Sequence, residues 1–226
     1  MPAGIVAVIF DADGTLIDSK EDIAVAANYA MKVMGRPPLP HEQIYRYVGH
    51  GGLALVASAL RGGEPVTHPD PELAQAAEEA LKHFIAYYNE HPVDHTRLFP
   101  GVAEVLAELS RRGKQLAVAT NKDAAVTRLV LQKLAAESYF PIILGHGNAP
   151  RLKPDPAIIH EILQAYGVPP AAAVMVGDSE VDVQTGHNAR IATIGLTYGH
   201  GGRAALERAG ADWVVDDVRD MLALLP

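Results

Sequence analysis

The apolar run Ile5-Val6-Ala7-Val8-Ile9-Phe10 stops abruptly at Asp11, and it constrains the fold more than any other feature. Its β-branched residues and its Gly4 and Asp11 borders mark a short strand buried on both faces. Similar runs occupy residues 115–119, 172–176 and 191–196, with weaker ones at 141–144 and 212–215. Helical patterns separate them. Val102, Val105, Leu106 and Leu109 have helical spacing and are followed by the stop residue Gly113. Residues 124–134, 156–166 and 217–225 also read as helices. Strands that alternate with helices predict an α/β fold built on a parallel sheet covered on both faces.

One stretch breaks the alternation. Residues 19–95 contain helical patterns at 22–34, 53–60 and 71–89 and no buried strand. The breaks Gly35-Arg36-Pro37-Pro38 and Gly62-Gly63-Glu64-Pro65 separate them. The expected organisation is therefore a core formed by residues 1–18 and 96–226, with an all-helical insert at 19–95. A chain of 226 residues that is 49% hydrophobic can bury a core of this kind.

Composition narrows the function. With 19 Lys and Arg against 27 Asp and Glu, the formal charge is −8. That excludes the basic footprint of a nucleic-acid binder and the polybasic cluster of a membrane-surface protein. There is no cysteine, so thiolate catalysis and Cys-based zinc sites are excluded. The apolar run after Met1-Pro2-Ala3-Gly4 is too short for a signal peptide, so a cytoplasmic protein is expected.

The chemistry-bearing residues cluster at strand ends, where open α/β sheets bind ligands. Asp11-Ala12-Asp13-Gly14-Thr15 follows the first strand. Asp11 and Asp13 alternate in an extended segment, so their carboxylates can share one side. Two acids so close need a cation between them, or one must hold a proton. Both arrangements suit phosphoryl transfer: one carboxylate attacks phosphorus, and the other serves the leaving group as acid and then water as base. Gly14 permits a tight turn and the approach of its amide to an anion. Thr15 is expected to hold that turn through a side-chain bond to backbone.

Thr120-Asn121-Lys122 ends the second strong strand, where a neutral hydroxyl and nearby amides can meet phosphate oxygens. The same residues also favour helix caps. Lys153, in Lys153-Pro154-Asp155-Pro156, can stabilise phosphate charge, with Asp155 expected as N-cap and Pro156 at N1. Gly177-Asp178-Ser179-Glu180-Val181-Asp182 follows another strand. Asp178 leaves that strand first and is the better cation ligand; Asp182, about one helical turn on, can position Ser179 or a cation's water. The helix dipole suffices to explain Glu180. None of the ten histidines has a zinc-site spacing.

These strings in this order resemble the haloacid dehalogenase superfamily of aspartate-nucleophile phosphatases. The resemblance covers most of the chain. It implies a Rossmann-like, doubly wound parallel core with an inserted helical cap, Asp11 as nucleophile and Asp13 as general acid and base. It also implies that Thr120 and Lys153 hold the phosphoryl group, with Mg²⁺ on Asp11, the Asp13 carbonyl and Asp178, supported by Ser179 and Asp182. The implied partner is a small phosphorylated metabolite. Gly14, Asn121, His50 and Gly51 are the candidates for substrate contact, the last two in the loop Gly49-His50-Gly51-Gly52. A sugar-phosphate mutase, a phosphatase of a sugar phosphate, nucleotide or pyrophosphate, and a non-catalytic binding protein are the alternatives on the same scaffold; the sequence does not fix the oligomeric state.

Overall fold

The computed structural model describes residues 4–49, 51–66 and 69–225. The strands in chain order are β1 (Ala7–Phe10), β2 (Ile17–Asp18), β3 (Arg97–Leu98), β4 (Gln115–Asp123), β5 (Ile142–His146), β6 (Ala173–Gly177), β7 (Ala192–Leu196) and β8 (Trp213–Val215). The first helices are α1 (Lys20–Val33), α2 (His41–Tyr45), α3 (Gly52–Leu60) and α4 (Pro71–Glu90). After them come α5 (Val102–Arg111), α6 (Ala124–Lys133), α7 (Ala157–Tyr166), α8 (Glu180–Asn188), α9 (Gly202–Ala209) and α10 (Met221–Leu224). No described helix is long and apolar enough to cross a membrane.

The chain divides into two compact units. One contains Met1–Asp18 and Leu98–Pro226, the other Ser19–Arg97. The first is built on a six-stranded sheet in the order β5-β4-β1-β6-β7-β8, with every pairing parallel. β1 is fully buried, because Ala7 pairs with Gln115 on one side and Ala173 on the other. Its residues alternate between faces. Ala7 and Ile9 join Ala117, Met175 and the α7 residues Ile158 and Ile162 in one cluster. On the opposite face Phe10 meets Phe140 edge-on, with ring centroids 6.1 Å apart. α5 buries Val102, Val105, Leu106 and Leu109, the stripe expected of a helix covering a sheet.

The departures from expectation have local causes. β4 continues to Asp123 rather than stopping at residue 119, because a register shift against β5 between Ala119 and Asp123 keeps the chain extended. α7 starts at Ala157 with Pro156 at its N-cap, one position later than expected; Asp155 still accepts the Ala157 N–H at 2.9 Å. Residues 217–225 do not form one helix. Asp217 caps a 3-10 turn over Val218–Asp220, and only then does α10 begin. α2 and α9 are additions to the expected helices. Each buries a single residue, Ile44 and Leu206 respectively, so each offers the sequence only one fully buried anchor.

The second unit packs α1, α3 and α4 through small residues: Ala24, Ala27 and Ala30 on α1, Ala57 on α3, and Ala77 and Ala80 on α4. The carboxylate of Asp22, in the first turn of α1, is buried. It accepts the backbone N–H groups of His95 and Thr96 at 3.0 and 2.8 Å, the Thr96 hydroxyl at 2.7 Å, and a bond from His95 Nδ1 at 2.8 Å. Burial alone would raise this carboxyl, but the bonds from Thr96 and His95 outweigh it and hold Asp22 below the usual range.

Candidate active site

Parallel pairing brings three chain segments to the carboxyl edge of the sheet. Phe10 lies opposite Val118 and Val176, so Asp11, Thr120 and Asp178 leave neighbouring strands side by side. Asp11 N–H donates to Val176 O at 2.9 Å, extending the ladder to the acid itself. Beyond it the chain reverses: the N–H groups of Leu16 and Ile17 return to Ala12 O at 2.9 and 3.0 Å. Gly14 makes that reversal at φ +83°, and a Cβ there would collide with the Asp178 carboxylate and the His200 ring.

Lys153 lies between two of the acids. Its Nζ is 2.9 Å from Asp11 Oδ1 and 2.6 Å from Asp182 Oδ1, with the lysine side chain only 2% exposed. Burial would discharge such an ammonium, but Asp11 and Asp182 more than offset it and hold Lys153 above the usual lysine range. Asn121 fixes the lysine's backbone: its Oδ1 accepts Lys153 N–H at 2.9 Å and its Nδ2 donates to Lys153 O at 3.2 Å. The amide of Asn121 is thus directed at the chain rather than at open space. Thr120 is buried and accepts the Lys122 N–H at 3.2 Å, which leaves its own hydroxyl hydrogen able to donate.

Asp178 is clamped from two directions. Thr15 Oγ1 donates to Oδ1 at 2.9 Å and His200 N–H to Oδ2 at 2.6 Å. Thr15 does not make the expected bond to local backbone; it reaches across the sheet edge instead. The loop carrying His200 is anchored by Tyr198, whose hydroxyl donates to Thr15 O at 2.8 Å and whose ring lies against Phe99. Burial, then the nearby Asp178, pushes that phenol above its ordinary range, so it stays a donor. Ser179 and Asp182 form a capping box at the start of α8, with Asp182 Oδ2 accepting Ser179 N–H at 3.0 Å and Oγ–H at 2.6 Å.

Asp11, Asp178 and Asp182 place carboxylate oxygens within 4.8 Å of one another, all buried. Burial, only partly offset by Lys153, pushes Asp11 up to about 7. Burial and the charge of Asp182 push Asp178 up to about 7 as well. One ammonium does not neutralise this group. A buried, oxygen-only donor set with excess negative charge is the chemistry a hard divalent cation requires, so the residues fit a metal ion.

The structure therefore brings together Asp11, Asp13, Gly14, Thr120, Asn121, Lys153, Asp178, Ser179 and Asp182. Gly51 belongs to the helical unit, as the N-cap of α3 at φ +92°; His50 lies outside the described residues. Two contributors escape sequence reasoning. Lys122 Nζ approaches Asp13 at 3.1 Å, although strand-end chemistry points only to its neighbours Thr120 and Asn121. His200 lies in Gly199-His200-Gly201, just past the carboxyl end of β7, where the strand-end rule that locates Asp178 would also find it. Gly199 and Gly201 have no room for a Cβ beside Asp178.

Parallel order, a paired-acid loop after the central strand and a carboxylate cluster beside a buried lysine define a hydrolase site on a doubly wound sheet. The family profile described as haloacid dehalogenase-like hydrolase matches residues 8–196, and the chain belongs to that family. Among its curated relatives, the phosphoglycolate phosphatase of Pseudomonas putida is 38% identical over 97% of this chain and 78% of its own length. That of Haemophilus influenzae is 34% identical over 96% of each chain. A solved structure described as a predicted phosphoglycolate phosphatase, from Haemophilus somnus, superposes with a TM-score of 0.86 at 28% identity, over 98% of both chains.

Proposed function

We propose that the protein is a Mg²⁺-dependent phosphatase that hydrolyses 2-phosphoglycolate to glycolate and phosphate through an aspartyl-phosphate on Asp11. The observation that carries the reaction is the asymmetry of Asp11. Ala12 N–H and Lys153 Nζ both bind Oδ1, at 2.7 and 2.9 Å. Among the described residues Oδ2 is left to react. The substrate rests on the two phosphoglycolate phosphatase relatives, each aligned along nearly all of this chain.

Mg²⁺, held by Asp11, the Asp13 carbonyl and Asp178, would supply charge neutralisation for the carboxylates and the incoming phosphate. Asp11 Oδ2 attacks phosphorus; the new P–O bond forms as the ester P–O bond breaks. Asp13 gives its proton to the departing glycolate oxygen. Water then attacks phosphorus, Asp13 takes its proton, and the bond to Asp11 breaks to release phosphate. Lys153 and the Thr120 hydroxyl stabilise the phosphoryl oxygens. Asp182 spends one oxygen on Ser179 and the other on Lys153, so its part is to aim the lysine. Asn121 aims it from the backbone side.

The test is phosphate release from 2-phosphoglycolate, sugar phosphates, nucleotides and pyrophosphate, with and without Mg²⁺. The expected result is a strong preference for 2-phosphoglycolate, loss of turnover on chelation, and a fall of about 10⁴-fold or more in Asp11→Asn with folding retained. Equal rates on all substrates would remove the substrate assignment, isomer formation in place of phosphate release would indicate a mutase, and undiminished turnover by Asp11→Asn would remove the nucleophile.

A further inference from the structure

The site holds two lysines, and their surroundings differ. Lys153 is enclosed between Asp11, the proposed nucleophile, and Asp182. Lys122 comes from the extended end of β4 and straddles the other acid: its Nζ lies 3.1 Å from Asp13 Oδ1 and 3.3 Å from Oδ2. Its side chain is only 10% exposed. Phosphate stabilisation does not require a second ammonium beside the residue that serves the leaving group, and a partly desolvated ammonium is a strong, charge-assisted donor.

We infer that Lys122 is a specificity-determining residue that binds the carboxylate of the leaving alcohol, so that the site selects phosphate monoesters of a 2-hydroxy acid. The inference rests on the reading of Asp13 and of the substrate given above, and adds the group that reads the substrate's organic end. A general acid must come within about 3 Å of the ester oxygen. In phosphoglycolate the carboxylate is a single methylene away from that oxygen. An ammonium 3.1 Å from Asp13 is then within reach of the carboxylate while Asp13 faces the ester oxygen. The substrate carboxylate shares Lys122 with Asp13, and no new cation has to be brought in. An ester whose alcohol carries no anion leaves Lys122 with nothing to read.

The experiment compares 2-phosphoglycolate with ethyl phosphate, which replaces the carboxylate by a methyl group. kcat/KM for both is measured with Mg²⁺ for the wild type, Lys122→Met and Lys122→Arg, and thermal unfolding checks each fold; Lys122→Gln replaces the Met variant if that one does not fold. Loss of Lys122 should lower the phosphoglycolate-to-ethyl phosphate ratio about 30-fold, mainly through KM, with partial recovery in Lys122→Arg. Glycolate, tested as an inhibitor of ethyl phosphate hydrolysis, should weaken by a similar factor. If the wild type prefers phosphoglycolate and Lys122→Met keeps that ratio, with both substrates falling together, Lys122 merely supports Asp13 and the inference is overturned. If the wild type hydrolyses both esters without preference, the substrate assignment fails and takes the inference with it.

Discussion

At the scale of single residues, the site depends on close approach. Gly14 turns at φ +83° directly beneath the Asp178 carboxylate. Gly14→Ala would strain the backbone and push Asp178 aside. The expected outcome is a loss of about 100-fold in kcat/KM and about 2–4 kcal/mol of stability, read from steady-state kinetics and denaturant unfolding. A variant with wild-type kinetics would show that this contact does not position Asp178. The acids themselves are legible in the sequence, because Asp11 and Asp178 each follow a recognisable buried strand. Their partners are not. Thr15 reaches Asp178 across 163 sequence positions, and no local pattern encodes such a bond. Lys122 stands in the strand-end string Thr120-Asn121-Lys122, but nothing local places its ammonium beside Asp13.

At the scale of elements, alternation locates the strands of the sheet and the long helices, since each repeats a burial pattern often enough to be seen. α2 and α9 bury one side chain each, too few to stand out in the sequence. The extension of β4 is hidden for another reason: residues 120–123 are polar, and only pairing with β5 keeps them extended. α1 depends on a contact distant in sequence. Asp22, in its first turn, gathers the donors of His95 and Thr96. Asp22→Ala leaves buried donors unpaired, and about 2 kcal/mol should be lost from the helical unit. Hydrogen exchange is the measurement: the His95 and Thr96 amides should exchange faster, while the amides of β1 stay protected. Unchanged exchange at those amides would show that Asp22 does not hold the end of this unit.

At the scale of the whole molecule, the acid cluster links stability to pH and to the cation. Asp11 and Asp178 titrate near 7 in the fold, against 3.8 for a freely solvated aspartate. Between those values the native state binds more protons than the unfolded chain, so these groups withdraw stability as pH rises through that window. The proposed Mg²⁺ binds the ionised form and should return it. The increase in Tm on adding Mg²⁺ is therefore expected to be larger at pH 8 than at pH 5.5, and Asp178→Asn should remove most of the difference. Equal increases at both values would separate the cation from these carboxylates. The class of fold is legible because the strand runs are spaced by helices throughout residues 96–226. The central place of β1 also has a consequence for the order of assembly. Its partners are β4 and β6, which begin at Gln115 and Ala173, while the helical unit Ser19–Arg97 is one uninterrupted stretch. A ribosome delivers β1 first and both of its neighbours much later. The helical unit can be complete while Ala7-Val8-Ile9-Phe10 is still an unpaired apolar strand, exposed to aggregation and to chaperones until β4 has emerged, and open on one edge until β6 follows.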